Sequence, residues 1–305
     1  MSIISTNVNY TFNVLKVDLY NLLRTFNFLQ VTTIGYSVLG NEIYAVKIGN
    51  GKNQVFYSAS YHANEWITSI VLMKFIEDFC NAYVNNSNIY NYSARSIFND
   101  TTIYLVPMVN PDGVNLVSGF YKSNSLPYIQ ANAISKNYPN IRFPDGWKAN
   151  IRGVDLNLQF PANWEKAKEI KYSQGFTSPA PKDFVGYGPL TEPEVLAIYN
   201  FTLQHNFRLI LAYHSQGEVI YWKYLDYLPA ESYFIGQQFA NSSGYSLDLT
   251  PPESAFAGYK DWFIQNYNRP GYTIEVGLGE NPLPLSQFNR IYNDNIGILT
   301  LGAVL

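Results

Sequence analysis

Four short runs rich in β-branched and aromatic residues constrain the fold of this chain more than any other feature. They are residues 54–61 (QVFYSASY), 101–109 (TTIYLVPMV), 208–213 (RLILAY) and 271–277 (GYTIEVG). Each has the length and composition of a strand, and the second and third are continuous enough in apolar residues to be fully buried. Segments of helical periodicity separate them: 10–28 with its Leu15, Leu19 and Leu22 stripe, 64–83, 192–204, 258–267 and 284–301. Residues 31–36 and 42–48 alternate around Leu39-Gly40-Asn41 and predict a hairpin. Asn110-Pro111-Asp112-Gly113 is expected to be a turn closing the second run, and residues 120–149, rich in Asn, Pro and Tyr, an irregular stretch. Strands alternating with helices predict an α/β protein: a mixed twisted β-sheet flanked by helices on both faces.

At 305 residues, with 47% hydrophobic and 14% charged, the chain can bury a sizeable core. No Gly/Ser/Pro linker, charge run or internal repeat divides it, so 1–305 is expected to be a single domain with its core at about 10–301. A net charge of -3 argues against nucleic acid and against an acidic membrane surface as partners. The single cysteine, Cys80, excludes internal disulfides and a cysteine-based zinc cluster, and its apolar-striped surroundings predict a buried inert thiol. The N-terminal residues lack the basic start, apolar stretch and cleavage site of a signal peptide, and no span of ~20 apolar residues follows. A cytoplasmic location is expected, with release by other routes as the other option.

In layered α/β folds, sites gather beyond the carboxyl ends of strands. His62, Asn110, His214 and Glu275 all fall at or near such ends. His62 and Glu65, three apart in YHANEW, could present two ligands to one metal ion, or could be ordinary residues at a helix start. His214 follows the run RLILAY, where a third ligand would stand, whereas His205 sits within a helical segment as a surface or packing residue. Glu275 places a carboxylate inside an otherwise apolar strand, which is costly without a purpose.

Five segments in order resemble the zinc carboxypeptidase family: His62-Ala63-Asn64-Glu65, Asn110-Pro111-Asp112-Gly113, Gly153-Val154-Asp155-Leu156-Asn157, His214-Ser215-Gln216 and Ile274-Glu275. The similarity runs from about residue 10 to 301. It implies one Zn2+ held by His62, Glu65 and His214, although cobalt and nickel accept the same donors. It implies that Asp155 orients the first histidine, and that Glu275 is the general base beside activated water. The family's oxyanion arginine corresponds to Lys148, a point charge without the guanidinium fork.

The departures from the family pattern bear on substrate. The family holds a free C-terminal carboxylate with an asparagine–arginine pair; here Asn157 is kept and Leu158 replaces the arginine. The position of the family's mobile tyrosine falls on Glu253, and the pocket-floor position holds Lys260, which should favour a side chain ending in a carboxylate. Together these features resemble the γ-D-glutamyl-L-diamino-acid endopeptidase branch, without a separate wall-binding domain, and the resemblance implies association with spore or cell wall as the alternative to a cytoplasmic location. The expected substrate is a bacterial cell-wall peptide in which D-glutamate is joined through its side chain to meso-diaminopimelate. The first alternative is an ordinary metallocarboxypeptidase in which Arg152 or Arg269 replaces the missing anchor. The second is an inactive muropeptide-binding protein.

Overall fold

In the computed structural model, which describes residues 2–305, the apolar runs are the centre of one eight-stranded sheet. The chain begins with α1 (Phe12–Thr25), capped by Thr11 Oγ1, which accepts from the Val14 N–H. The hairpin β1 (Gln30–Tyr36) and β2 (Glu42–Ile48) follows, turning at Gly40, whose φ of +81° suits a residue without Cβ. Next come β3 (Asn53–Ala59), a 3-10 turn at Ala63–Glu65 and α2 (Ile67–Val84). A two-stranded ribbon, β4 (Asn88–Ile89) and β5 (Tyr92–Ser93), leads through α3 (Ala94–Asp100) into β6 (Thr101–Val106).

Asn110-Pro111-Asp112-Gly113 is not an isolated turn. It starts helix α4 (Pro111–Val117), because Pro111 is preset for the first helical position and Asn110 Oδ1 accepts from the Gly113 N–H. Residues 120–149 are likewise less irregular than expected. They contain α5 (Leu126–Ser135), whose weakly amphipathic sequence, with only Ala131 and Ser135 buried, hides its periodicity.

The remaining elements are α6 (Trp164–Ser173), α7 (Pro193–Leu203), β7 (Phe207–His214), β8 (Val219–Tyr221), α8 (Ser232–Ser243), β9 (Ser246–Asp248), α9 (Tyr259–Tyr267), β10 (Gly271–Glu275) and α10 (Phe288–Val304). The sheet order is β1-β2-β6-β3-β7-β10-β8-β9. Strands β6, β3, β7 and β10 run parallel, while β2 and β8 pair antiparallel to that block.

Side chains on the central strands alternate between two cores, as the period of 2 requires. On β3, Val55, Tyr57 and Ala59 join α1, α2 and α10 on one face, while Phe56 joins α7 and α9 on the other. On β7, Leu209, Leu211 and Tyr213 face the first core, and Ile210 and Ala212 the second. Cys80 is buried in the first core, where burial pushes its thiol pKa up. The chain leaves β3 for β6 on one side and leaves β7 for β8 and β10 on the other, so the connections diverge and open a crevice beyond the carboxyl ends of β3 and β7. Among the described residues, no helix is long and apolar enough to cross a membrane.

Candidate metal centre and substrate cleft

Three strand ends deliver the site. His62 follows β3, His214 ends β7, and Glu275 ends β10 as the Cα partner of His214. Because only Ser60, Tyr61 and His62 separate β3 from the 3-10 turn Ala63–Glu65, Glu65 is carried back beside His62. Asn110 pins this corner: its Nδ2 donates to Tyr61 O and Ala149 O. The Ala63 N–H donates to Lys148 O at 2.9 Å, which ties the loop bearing Lys148 to the same corner.

His62 Nδ1 lies 2.9 Å from Glu65 Oε1, His214 Nδ1 lies 3.0 Å from Glu65 Oε2, and the two Nδ1 atoms are 3.2 Å apart. All three side chains are buried. Tyr61 stacks on the His214 ring with 5.6 Å between centroids. Asp155 Oδ1 is 3.0 Å from His62 Nε2, and the same oxygen accepts from the Asn157 N–H. Asp155 Oδ2 accepts from the Asp183 N–H at 3.2 Å. The preceding turn is fixed by Asn150 Oδ1, which accepts from the N–H groups of Arg152 and Val154. Gly153 closes it at φ +79°, where an added Cβ would lie 2.9 Å from Ala180 N.

The donor chemistry fits a divalent cation. If His62 gives its Nε2–H to Asp155, its Nδ1 lone pair faces a Glu65 oxygen at 2.9 Å. Two lone pairs at that distance repel unless a cation lies between them. The ligand atoms of His62, Glu65 and His214 all lie within 4.8 Å of one another. Two imidazole nitrogens and one carboxylate are a zinc donor set that leaves a coordination position open. Burial opposes charge on His62, but Glu65 and Asp155 outweigh it and push the imidazole up to about 9. Burial also resists ionisation of Glu65 and Asp155, yet His62 and Lys148 hold both below the usual carboxylate range. His214 is lowered, chiefly by burial.

Glu275 behaves oppositely. Its low-dielectric surroundings, and then the Glu65 carboxylate, push it up to about 8. Lys148 Nζ is 3.2 Å from Glu65 Oε1. Burial disfavours its charge, but Glu65 more than offsets that and raises its pKa.

A cavity of about 180 Å3 opens from His62, Asp155, Lys148 and Glu275. Asn157, Leu158 and Lys260 also line it, as do Lys171, Asp183, Tyr221, Thr250 and Thr273, which the sequence reading did not single out. Lys260 is only 3% exposed. Its Nζ donates to Lys223 O at 2.8 Å and Thr250 Oγ1 at 3.3 Å, and pairs with Asp261 Oδ1 at 2.6 Å. The positive floor expected from Lys260 is therefore largely neutralised by the next residue. Asn157 Oδ1 accepts from the Tyr259 N–H.

The two arginines considered as substitute anchors do not reach this cleft. Arg152 is turned outward, 3.7 Å from Glu192 Oε2. Arg269 Nη1 donates to Asn206 Oδ1 and Phe207 O, at the amino end of β7 and so at the opposite edge of the sheet from the site. His205 is a packing residue: Nδ1 donates to Phe201 O, and its ring lies against Tyr104, Phe201 and Phe207. Glu253 lies exposed in a 3-10 turn, Pro252–Ser254, on the lip of the cavity.

A mixed sheet with His, Glu and His converging beyond its carboxyl edge, beside the strand-end carboxylate of Glu275, is the arrangement of a zinc metallopeptidase, and the family match bears this out. The zinc carboxypeptidase family profile matches residues 19–297, most of the chain, and the protein belongs to that family. It is 44% identical over 299 residues to gamma-D-glutamyl-L-diamino acid endopeptidase 1 of Lysinibacillus sphaericus, covering 97% of this chain and 73% of the relative. It is 40% identical to the uncharacterized protein YqgT of Bacillus subtilis (strain 168), covering 95% and 76%. Carboxypeptidase A from Helicoverpa armigera has the same fold, with a TM-score of 0.72 at 19% identity, covering 100% of this chain and 74% of that one.

Proposed function

We propose that the protein hydrolyses the γ-D-glutamyl–meso-diaminopimelate bond of bacterial cell-wall peptides, with residues 1–305 acting as one catalytic domain. One observation carries the reading: the cleft beside the three-ligand centre is lined by lysines and, among the described residues, by no arginine. At the position after Asn157, Leu158 offers no partner to a carboxylate, and it is buried against α6. Leu158 itself therefore sets no requirement for a free terminal carboxylate. The 44% identical relative, whose name states this activity, supports the same reading.

In this reading His62, Glu65 and His214 hold one Zn2+, which supplies Lewis acidity at the scissile carbonyl. Asp155 keeps the His62 proton on Nε2, so that Nδ1 stays available as a donor. Glu275 takes a proton from the attacking water and passes it to the leaving amine nitrogen. Lys148 places positive charge beside the carbonyl oxygen as charge develops there. Asn157, its Oδ1 engaged by the Tyr259 N–H, offers its amide nitrogen to substrate.

The test is hydrolysis by the zinc-loaded protein of L-Ala-γ-D-Glu-meso-diaminopimelate peptides, with and without a terminal D-Ala, against hippuryl amino acids. Cleavage of the γ-D-glutamyl bond with release of the diaminopimelate portion is expected. Cleavage of hippuryl substrates alone would indicate a carboxypeptidase, and tight muropeptide binding without turnover an inactive binder.

A further inference from the structure

Three lysines line the cleft, and they are not equivalent. Lys148 is engaged by Glu65 at the metal centre. Lys260 has three partners for its three N–H donors: Lys223 O, Thr250 Oγ1 and Asp261. Lys171 is buried, at 6% exposure, yet among the described residues its Nζ has one partner, Asp183 Oδ1 at 2.6 Å. Its remaining donors lie beside the cavity, where a further acceptor can meet them.

Helix geometry explains how Lys171 reaches this place. Trp164 and Ala167 dock α6 by packing with Leu158, Val185 and Ala257. Lys171 follows them on the same helix face, so the stripe that covers Leu158 also carries an ammonium into the cavity. Asp183 holds it there. Its carboxylate binds Lys171, Lys182 Nζ stands 3.5 Å from its other oxygen, and its backbone N–H donates to Asp155.

We propose that Lys171 is a specificity-determining residue that receives a carboxylate of the substrate. The proposal rests on the γ-D-glutamyl–diaminopimelate reading of the site. In that substrate the γ-linked D-glutamate keeps its α-carboxylate, and the diaminopimelate keeps carboxylates of its own, all untouched by the reaction. Lys171 supplies the N–H donors that Leu158 cannot, and Asp183, shared with Lys182, does not cancel both ammonium charges.

The experiment compares the zinc-loaded wild type with Lys171→Met and Lys171→Arg on L-Ala-γ-D-Glu-meso-diaminopimelate. Two analogues are included, one with the glutamate α-carboxylate as a primary amide and one with the diaminopimelate carboxylates as amides. Lys171→Met is expected to raise KM about ten- to a hundred-fold, the range for a hydrogen bond to a charged group, with little change in kcat. Lys171→Arg should recover most of the loss. One analogue should cost the wild type the same factor and cost Lys171→Met nothing more, and that analogue identifies the residue whose carboxylate is bound. Equal penalties from both analogues in wild type and Lys171→Met overturn the proposal, as does a fall in kcat at unchanged KM. Zinc content and thermal melting check folding; should Lys171→Met fold poorly, Lys171→Gln takes its place. If the wild type rejects these peptides but hydrolyses hippuryl amino acids, the functional reading fails by itself. Lys171 is then judged on hippuryl substrates and their amides by the same coupling, and its absence overturns the proposal.

Discussion

Glu275 and His214 are Cα partners at the carboxyl ends of the adjacent parallel strands β10 and β7. The pairing places a carboxylate beside the metal centre through backbone hydrogen bonding, with no dependence on a mobile loop. Glu275→Gln keeps the shape and removes the proposed base. Turnover should fall about 10²–10⁴-fold, the contribution typical of general acid–base catalysis. Zinc stoichiometry, measured by atomic absorption, should be unchanged. Substantial residual activity would show that another group moves the proton.

Asp155 contacts His62 Nε2 and accepts from the Asp183 and Asn157 N–H groups. Asp155→Ala should weaken zinc binding about 10–100-fold by freeing the His62 ring. Competition against a chelator of known affinity reads this directly. An unchanged zinc affinity would mean that the Asp155–His62 contact does not tune the ligand.

Leu158 packs with Trp164, Ala167, Val185 and Ala257 under α6. Leu158→Ala should cost about 2–5 kcal/mol in urea unfolding, the range for a truncated core leucine. Leu158→Arg should also lower the melting temperature, and it should not create carboxypeptidase activity on hippuryl substrates. A gain of that activity would show that a cation at position 158 of the cavity wall can bind the substrate carboxylate.

Glu194 is fully buried, with Oε1 accepting from the Val38 N–H. Burial, reinforced by Asp112 and Glu192, raises its pKa from 4.5 to about 7. The folded state therefore holds a proton there that the unfolded chain releases above pH 4.5. That stabilisation is complete below pH 4.5 and is lost as pH rises through about 7. Glu194→Gln mimics the protonated form. Relative to wild type it should gain up to about 3 kcal/mol between pH 5 and 8, at 1.36 kcal/mol per pKa unit. A difference in melting temperature that stays constant across this range would refute the assignment.

Much of the fold was legible because its central strands are buried on both faces and so are spelled as apolar runs. β7 was read almost to its ends, and the hairpin turn at Gly40 announced itself. Helices α5 and α6 were not read, because few of their residues are buried and their stripes are thin. Lys171 was missed for a related reason. A lysine in line with Trp164 and Ala167 is a visible signal only once α6 is known to be a helix.

The sequence by itself determined the chemical parts: His62, Glu65 and His214 as candidate ligands, Glu275 as an unusual strand carboxylate, and Leu158 where a cation was expected. Their identity is written locally, in residue type and in position after a strand. Only the tertiary structure decided which charges and donors are available. Lys260 has its donors taken by Lys223 O, Thr250 and Asp261, Arg269 lies at the far edge of the sheet, and Lys171, paired with Asp183, enters the cleft with donors to spare. Charge availability depends on what each group meets in three dimensions, across contacts that linear spacing does not encode.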